Sequence, residues 1–274
     1  MNPNPLPLVT IITPVYNGAD YLEDLIKSVE AQDYPYFEHI IIDDGSTDND
    51  ATVKVLTKYS HIRWWTRPNL GQYATMNEGL LASKGEVICF ISADDVMCPG
   101  AITKAITCLI DNSELDGVYG TFGYISNIGK KLNYFHPMRI MPTGMYPYSL
   151  HISHSSFYLK KEPLIQKELL FNDSLKYVGD YDWIVRVLKS KLTIRKIKNT
   201  LSMIRIHDNQ TSKRSFNEMR VEIFALQKNL GVSKLKASFF RKLWFFINFF
   251  NSIKFNGLRV SMTMINERFR NIYS

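Results

Sequence analysis

Four short apolar runs, each cut off by a polar cluster and followed by a segment of helical period, constrain this chain more than any other feature. Leu8 to Thr13 is rich in β-branched residues and gives way to Pro14, Tyr16 and the turn pair Asn17-Gly18. Asp20 stands three residues before Glu23, the spacing of a capping box, which predicts a helix from about Tyr21 to Ala31 with Leu22, Leu25, Ile26 and Val29 on its apolar face. The same order recurs. A strand over Phe37 to Ile42 ends in Asp43-Asp44-Gly45-Ser46, with Ser46 or Thr47 as the cap of a helix that includes Val53, Val55 and Leu56. A third strand at Ile62 to Trp65 leads through Asn69-Leu70-Gly71-Gln72 to a helix ending near Ala82. A fourth, Val87 to Ile91, closes in Ser92-Ala93-Asp94-Asp95, with Pro99 as the first residue of the next helix. Strands alternating with helices predict an α/β fold of Rossmann-like type, a mainly parallel sheet flanked by helices. In such a sheet ligands bind beyond the carboxyl ends of the strands, so Tyr16, Asp44 and Asp94 are expected at one crevice.

From about Gly117 the order loosens. Strands are expected near Val118 to Ser126 and Ser155 to Leu159, a turn-rich stretch from His136 to Tyr148, a helix over Asp180 to Lys189, and two short strands within Leu192 to Ile206. Beyond Phe216 the chain reads as a helical C-terminal extension. Domains are accordingly expected at 1–214, with halves of about 1–116 and 117–214, and at 215–274.

An apolar fraction of 45% with 22% charged residues excludes a disordered or fibrous chain. The net charge of +7 fits an anionic ligand or surface, but no motif that a nucleic-acid groove or single strand would require is present. The cysteines Cys89, Cys98 and Cys108 lack CxxC spacing and suit a reducing compartment. The chain opens without a basic region followed by an apolar stretch, so the expectation is no secretory signal and a cytoplasmic location. Phe239 to Phe250 is apolar but interrupted by Arg241, Lys242 and Asn248, and it is shorter than the roughly 20 residues of a spanning helix. Lys234, Lys236 and Lys254 extend its basic character. Two readings stand side by side: an interfacial helix on an anionic membrane, and a helix packed on the preceding domain with its basic residues facing water.

Four motifs stand in order along the chain. They are Ile11-Ile12-Thr13-Pro14-Val15-Tyr16-Asn17-Gly18, Ile41-Ile42-Asp43-Asp44-Gly45-Ser46-Thr47-Asp48, Ile91-Ser92-Ala93-Asp94-Asp95 and Gly179-Asp180-Tyr181-Asp182. With Gly71-Gln72-Tyr73-Ala74-Thr75-Met76-Asn77-Glu78-Gly79 they make the chain resemble glycosyltransferase family 2 over approximately Leu8 to Thr211. The resemblance implies a GT-A fold and inverting transfer of a sugar from a nucleotide diphosphate sugar, most commonly a UDP-sugar. The acceptor it implies is a hydroxyl of a glycan or lipid-linked molecule, as in bacterial surface polysaccharide synthesis. It places donor contacts at Pro14, Tyr16, Asn17, Asp44, Gln72 and Asp94. Mn²⁺ or Mg²⁺ falls to Asp94, Asp95 and His207, and the catalytic base to Asp180.

The residue chemistry permits these roles and also blander ones. A nucleotide base needs a flat apolar contact and a polar partner, which Tyr16 and Asp44 can offer; a packed aromatic and a helix cap are the alternatives. A hard cation bridging diphosphate oxygens needs one or two carboxylates, which Asp94 and Asp95 supply, although Asp pairs also end strands with no ligand. Transfer with inversion needs a base on the acceptor side; Asp180 matches the motif, and Asp182 is its rival. Two positions depart from the family pattern: Ser92 stands where the first Asp of Asp-X-Asp is usual, and Gly179 where a Glu is common. They keep open a catalytically silent nucleotide-sugar-binding module. A sugar nucleotidyltransferase or a dinucleotide-dependent dehydrogenase would need a Gly-rich phosphate loop after the first strand, which Pro14 to Gly18 does not provide.

Overall fold

The computed structural model describes residues 6–130 and 152–233, together with positions 235, 238, 239, 243, 246 and 250. The expected turn-rich stretch from His136 to Tyr148 lies outside the described residues. Backbone contacts divide the chain into two compact units, the first comprising Met1–Thr121 and Ile152–Met203. The described part of the second is 122–130 and 204–233 with the six isolated positions beyond.

The first unit begins with β1 (Val9–Val15), α1 (Ala19–Glu30), β2 (Phe37–Asp43), α2 (Ala51–Leu56), β3 (Arg63–Thr66), α3 (Gln72–Ala82) and β4 (Val87–Phe90). These strands lie parallel in the order β3-β2-β1-β4, with Ile12 opposite both Ile40 and Phe90. Parallel strands covered on both faces must be apolar throughout, which is why Ile11, Ile12, Ile40, Ile41 and Ile42 are all fully buried. Pro14 is tolerated in this central strand because it lies beyond the last β4 partner, so its missing N–H takes no bond from the ladder on that side. On α1, Leu22, Leu25, Ile26 and Val29 form the buried face, each worth about 1.5–3 kcal/mol of burial. Gly79 lets α3 lie close on the sheet, since a Cβ there would stand 2.4 Å from Ile12 Cγ2.

The sheet continues through β5 (Val96–Met97), α4 (Ala101–Ile110), β6 (Gly117–Ser126), β7 (Phe157–Lys160), α5 (Lys161–Gln166), α6 (Gly179–Lys189) and β8 (Ile194–Ile206). Here pairing turns antiparallel: β7 joins β4 to β6, and β5 pairs with β8. A single 3-10 turn, His154–Ser156, precedes β7. An aromatic stack fixes α6 to the sheet. Phe171 stacks on Trp183 with centroids 4.5 Å apart, Phe90 meets Trp183 edge-on, and Trp183 Nε1 donates to Leu169 O at 2.7 Å.

Several local expectations are corrected. α1 starts at Gly18 as its cap, so Asp20 lies inside the helix and forms no capping box; its charge still suits the first turn. Neither Ser46 nor Thr47 caps α2; Asp48 accepts from Thr52 N at 3.1 Å and Thr52 Oγ1 at 2.6 Å. α4 starts two residues after Pro99, with Gly100 at its cap in a left-handed conformation. β8 is one strand of 13 residues rather than two, because β6 runs long enough beside it for Thr121 Oγ1 to reach Asn199 O at 3.2 Å.

In the second unit Arg205 is almost fully buried, and its Nη1 donates to the carbonyl of Asn127 at 3.0 Å. Short α7 (Thr211–Arg214) and α8 (Phe216–Asn229) follow. No helix of the described residues is long and apolar enough to cross a membrane.

Candidate active site

The carboxyl ends of β1, β2 and β4 share one edge of the parallel sheet, and the loops leaving them are tied to one another. Asn17, held at φ 51°, donates its backbone N–H to Ser46 Oγ at 2.8 Å and accepts from Thr47 N through Oδ1 at 2.7 Å. A Cβ on Gly18 would stand 3.6 Å from Ala93 Cβ, which places the β4 loop beside the first. Tyr16 stands 49% exposed on this edge, its hydroxyl 3.4 Å from Thr47 Oγ1, and its ring is open to a ligand. Of the other expected donor contacts, Pro14 is buried in β1, Asn17 joins the loops, and Gln72 is exposed at the start of α3.

Asp43 and Asp44 are both buried, and they serve different loops. Asp43 accepts from Ser46 N at 3.1 Å and from Thr66 Oγ1 at 2.7 Å. Asp44 accepts from Leu70 N at 2.8 Å, Gly71 N at 2.9 Å and Arg67 Nη1. It therefore caps no α2; it fastens the loop between β3 and α3. Arg67 links this carboxylate to α3, with Nε donating to Glu78 at 2.6 Å and Nη2 to Thr75 Oγ1 at 2.8 Å. Trp65 Nε1 donates to the other Glu78 oxygen at 2.6 Å. Sequence reading missed Arg67, which belongs to no motif; its place one residue after a strand end was the available signal.

Ser92 to Asp95 forms a tight turn closed by Asp95 N–H on Ser92 O at 3.1 Å. Asp94 is part-exposed, whereas Asp95 is buried and accepts from Ser155 Oγ at 2.9 Å. Among the described residues no group of three or more His, Cys, Asp or Glu side chains could hold a metal. His207 follows β8 and belongs to the second unit. Within the first unit, Asp94 and Asp95, a part-exposed carboxylate with a second beside it, fit a hard cation whose other ligands are phosphate oxygens and water.

The fourth motif opens α6. Asp180 Oδ1 accepts from Tyr181 N at 2.8 Å and lies 3.4 Å from Tyr73 OH, while Oδ2 lies 3.6 Å from His154 Nδ1. Its side chain remains 38% exposed. Burial pushes this carboxyl upward, but the hydrogen bond and charge of His154, with Tyr181 N–H and Tyr73 OH, outweigh it and hold the group below the usual carboxylate range. Tyr73 is held protonated, by burial first and by the Asp180 charge second. Asp182 is buried and engaged: Arg186 Nε donates to it at 2.7 Å and Arg186 Nη2 donates to Leu170 O at 2.7 Å. The geometry thus separates two carboxylates that the sequence left as rivals. Gly179 has its reason in the same place, since a Cβ there would stand 2.6 Å from Cδ2 and Cε2 of the Tyr73 ring.

Residues 10–168 match the family model described as Glycosyl transferase family 2, which is more than half of the chain. The chain belongs to glycosyltransferase family 2. An uncharacterized glycosyltransferase of Rickettsia felis is 32% identical to this family member over 77% of the chain and 36% of the relative. Bacillus subtilis TuaG, provisionally named a teichuronic acid biosynthesis glycosyltransferase, is 34% identical over 39% of the chain and 44% of its own length. Staphylococcus aureus TarS, solved in complex with UDP-GlcNAc, superposes with a TM-score of 0.59 at 20% identity, over 80% of this chain and 66% of that one. That likeness confirms the GT-A-like fold, a mixed and mostly parallel sheet flanked by helices. The chain spans about a third of the length of the first relatives it matches.

Proposed function

We propose that this family member transfers a glycosyl group from a nucleotide diphosphate sugar to a hydroxyl, with inversion at the anomeric carbon. The observation that carries the reading is that one unit holds both the tied strand-end loops bearing Tyr16, Asp44 and Asp94 and a part-exposed carboxylate, Asp180 opening α6, with His154 in reach of both Ser92 and Asp180. The Tyr16 ring supplies a face for the nucleotide base, while Asp44 sets the loop that meets its polar edge. Asp94, seconded by Asp95, would hold a divalent cation, which when bound neutralises the departing diphosphate. Asp180 takes the acceptor proton as the hydroxyl oxygen bonds to the anomeric carbon and the bond to the diphosphate breaks. Asp182, committed to Arg186, is left to structure. A UDP-sugar is the donor favoured by the TarS complex, and the name of TuaG favours a surface glycan as acceptor.

Thermal unfolding with UDP, GDP or dTDP, each with and without Mn²⁺, tests the donor half, because a ligand of the native state raises apparent stability by mass action. One nucleotide raising Tm only with metal supports the reading; no shift with any of them refutes it. Asp180→Asn is expected to keep that shift and lose turnover. A shift without turnover in the unaltered chain would make it a silent donor-binding module.

A second observation favours a membrane-facing acceptor. Leu235, Phe239, Leu243, Phe246 and Phe250 are all helical and between 38% and 85% exposed, spaced so as to share one helix face. With basic residues interspersed in this segment, we propose that the face rests on an anionic bilayer carrying a lipid-linked acceptor. Co-sedimentation with phosphatidylglycerol vesicles should be lost in Phe239→Ser/Phe246→Ser, and equal sedimentation of the variant overturns the proposal.

A further inference from the structure

His154 joins two positions at which this chain is unusual or catalytic. Its Nε2 lies 3.1 Å from the hydroxyl of Ser92, and its Nδ1 lies 3.6 Å from Asp180 Oδ2. These residues are 62 apart in sequence in the first case, and all three lie in the first unit. The imidazole is 10% exposed, carried on the 3-10 turn His154–Ser156, whose next residue, Ser155, holds Asp95. One turn therefore touches the Ser92–Asp95 turn twice and the candidate base once.

Which proton the ring carries follows from its neighbours. A carboxylate cannot donate, so a lone pair at Nδ1 would face the Asp180 oxygen with nothing between them, whereas an N–H there meets it favourably. Ser92 can donate or accept, and it donates to Nε2 when the ring proton is on Nδ1. An aspartate at position 92 would instead place acceptor-only carboxylates at both ring nitrogens.

We propose that His154 is the positioning residue for Asp180. With its proton drawn to Nδ1 by the Asp180 carboxylate and its Nε2 met by the Ser92 hydroxyl, it turns Oδ2 and holds the carboxylate where the acceptor hydroxyl is deprotonated. This rests on the transferase reading of the same site and adds to it a member that none of the four motifs contains. The Ser92 departure then has a use: a hydroxyl can donate to Nε2, which a carboxylate cannot, and so suits the tautomer that Asp180 selects. His154 acts through Asp180, and no step passes a proton along the array.

Two amide variants separate the ring's two contacts. The side-chain nitrogen of Asn lies near the place of Nδ1 and that of Gln near the place of Nε2, so His154→Asn keeps the donor toward Asp180 and His154→Gln keeps the contact to Ser92. The assay is UDP release from UDP-GlcNAc with Mn²⁺ and water as acceptor. His154→Ala and His154→Gln are expected to lower kcat by about 10- to 100-fold with donor KM within about twofold, the scale of a misplaced catalytic group. His154→Asn should recover most of kcat. Equal loss in all three variants, or recovery by Gln instead of Asn, overturns the proposal. Nitrogen-15 shifts of the histidine rings in the free protein at pH 8 give a readout independent of turnover. A proton on Nδ1, with the ring signals disturbed by Ser92→Ala, is expected; a bare Nδ1 with the proton on Nε2 overturns the proposal. Failure of the unaltered protein to turn over any sugar nucleotide would refute the transferase reading, and the ring tautomer would still judge this one.

Discussion

Replacing Gly179 by alanine tests whether the aromatic floor of the site dictates the residue before the candidate base. The new Cβ would meet Tyr73 at 2.6 Å from Cδ2 and Cε2 and 2.8 Å from Cγ, distances at which something must move. Tyr73 has little room to give. It is 4% exposed and stacks on Phe171 with centroids 5.9 Å apart, and Phe171 in turn stacks on buried Trp183. Overpacking of this kind costs about 1–3 kcal/mol. Because the clash is with one side chain, the cost should fall nearly to zero when Tyr73→Ala is already present, although that change is itself destabilising through the cavity it leaves. Urea unfolding of the two single variants and the double variant closes the cycle. A Gly179→Ala cost that is the same in both backgrounds would refute the assignment of the clash to Tyr73. The displaced ring should also carry its hydroxyl away from Asp180, removing one of the groups that hold the carboxyl low, so the Asp180 pKa should rise in Gly179→Ala and in Tyr73→Phe alike.

Three further outcomes are expected. His39 is fully enclosed between strands with Nε2 on Thr13 Oγ1 at 3.0 Å, and burial first, then the charge of His61, lowers its pKa to about 3. The unfolded ring takes up a proton near pH 6.5 and the folded one does not, so stability is fully present above that pH and falls by about 1.4 kcal/mol per unit between about 6.5 and 3. Denaturation midpoints of His39→Gln should show a shallower acid limb, and an unchanged slope would count against the burial. Asp44→Ala leaves Arg67 and two backbone N–H groups without their acceptor and should cost about 3–5 kcal/mol in urea unfolding; a loss below about 1 kcal/mol would mean that the loop rearranges freely. Asp182→Asn, by contrast, should leave kcat of sugar-nucleotide turnover within about threefold while Asp180→Asn abolishes it; the reverse order would exchange their roles.

The parallel half of the fold was legible because its rules are local. β-branched runs over Val9–Val15 and Phe37–Asp43 can be buried on both faces only in a covered parallel sheet, and the polar residues behind them must then share an edge. Chain punctuation was read less well for an equally physical reason. Asp20 and Glu23 have the spacing of a capping box, yet the end of α1 is set by tertiary contact: Gly18 N–H is taken by Thr52 Oγ1 at 3.0 Å, and Thr52 is held by Asp48. A cap supplied from 34 residues away leaves no trace in the spacing of the helix itself. The single long β8 was missed likewise, because its continuity past Asn199 depends on β6 beside it.

The site divides along the same line. Motifs at strand ends named Tyr16, Asp44 and Asp94, and the motif opening α6 named Asp180, but the surroundings of those residues depend on partners that no motif contains. Asp44 and Asp182 both look like free carboxylates in a sequence; Arg67 and Arg186 turn them into anchors. Asp180 keeps an open face because what reaches it is a phenol, a backbone N–H and an imidazole rather than a guanidinium. The contrast explains how acidic residues two apart on one helix turn can differ in use. A guanidinium at 2.7 Å neutralises a carboxylate and fixes its direction, which suits a scaffold, whereas the phenol, backbone N–H and imidazole at Asp180 leave a face open to an incoming hydroxyl. Ser92 and Gly179 fit this logic: one meets His154 on the ring nitrogen away from the carboxylate, the other admits the Tyr73 ring beneath it. The two departures from the family pattern thus bear on the surroundings of one carboxylate, and they explain how it can retain its charge without an arginine partner.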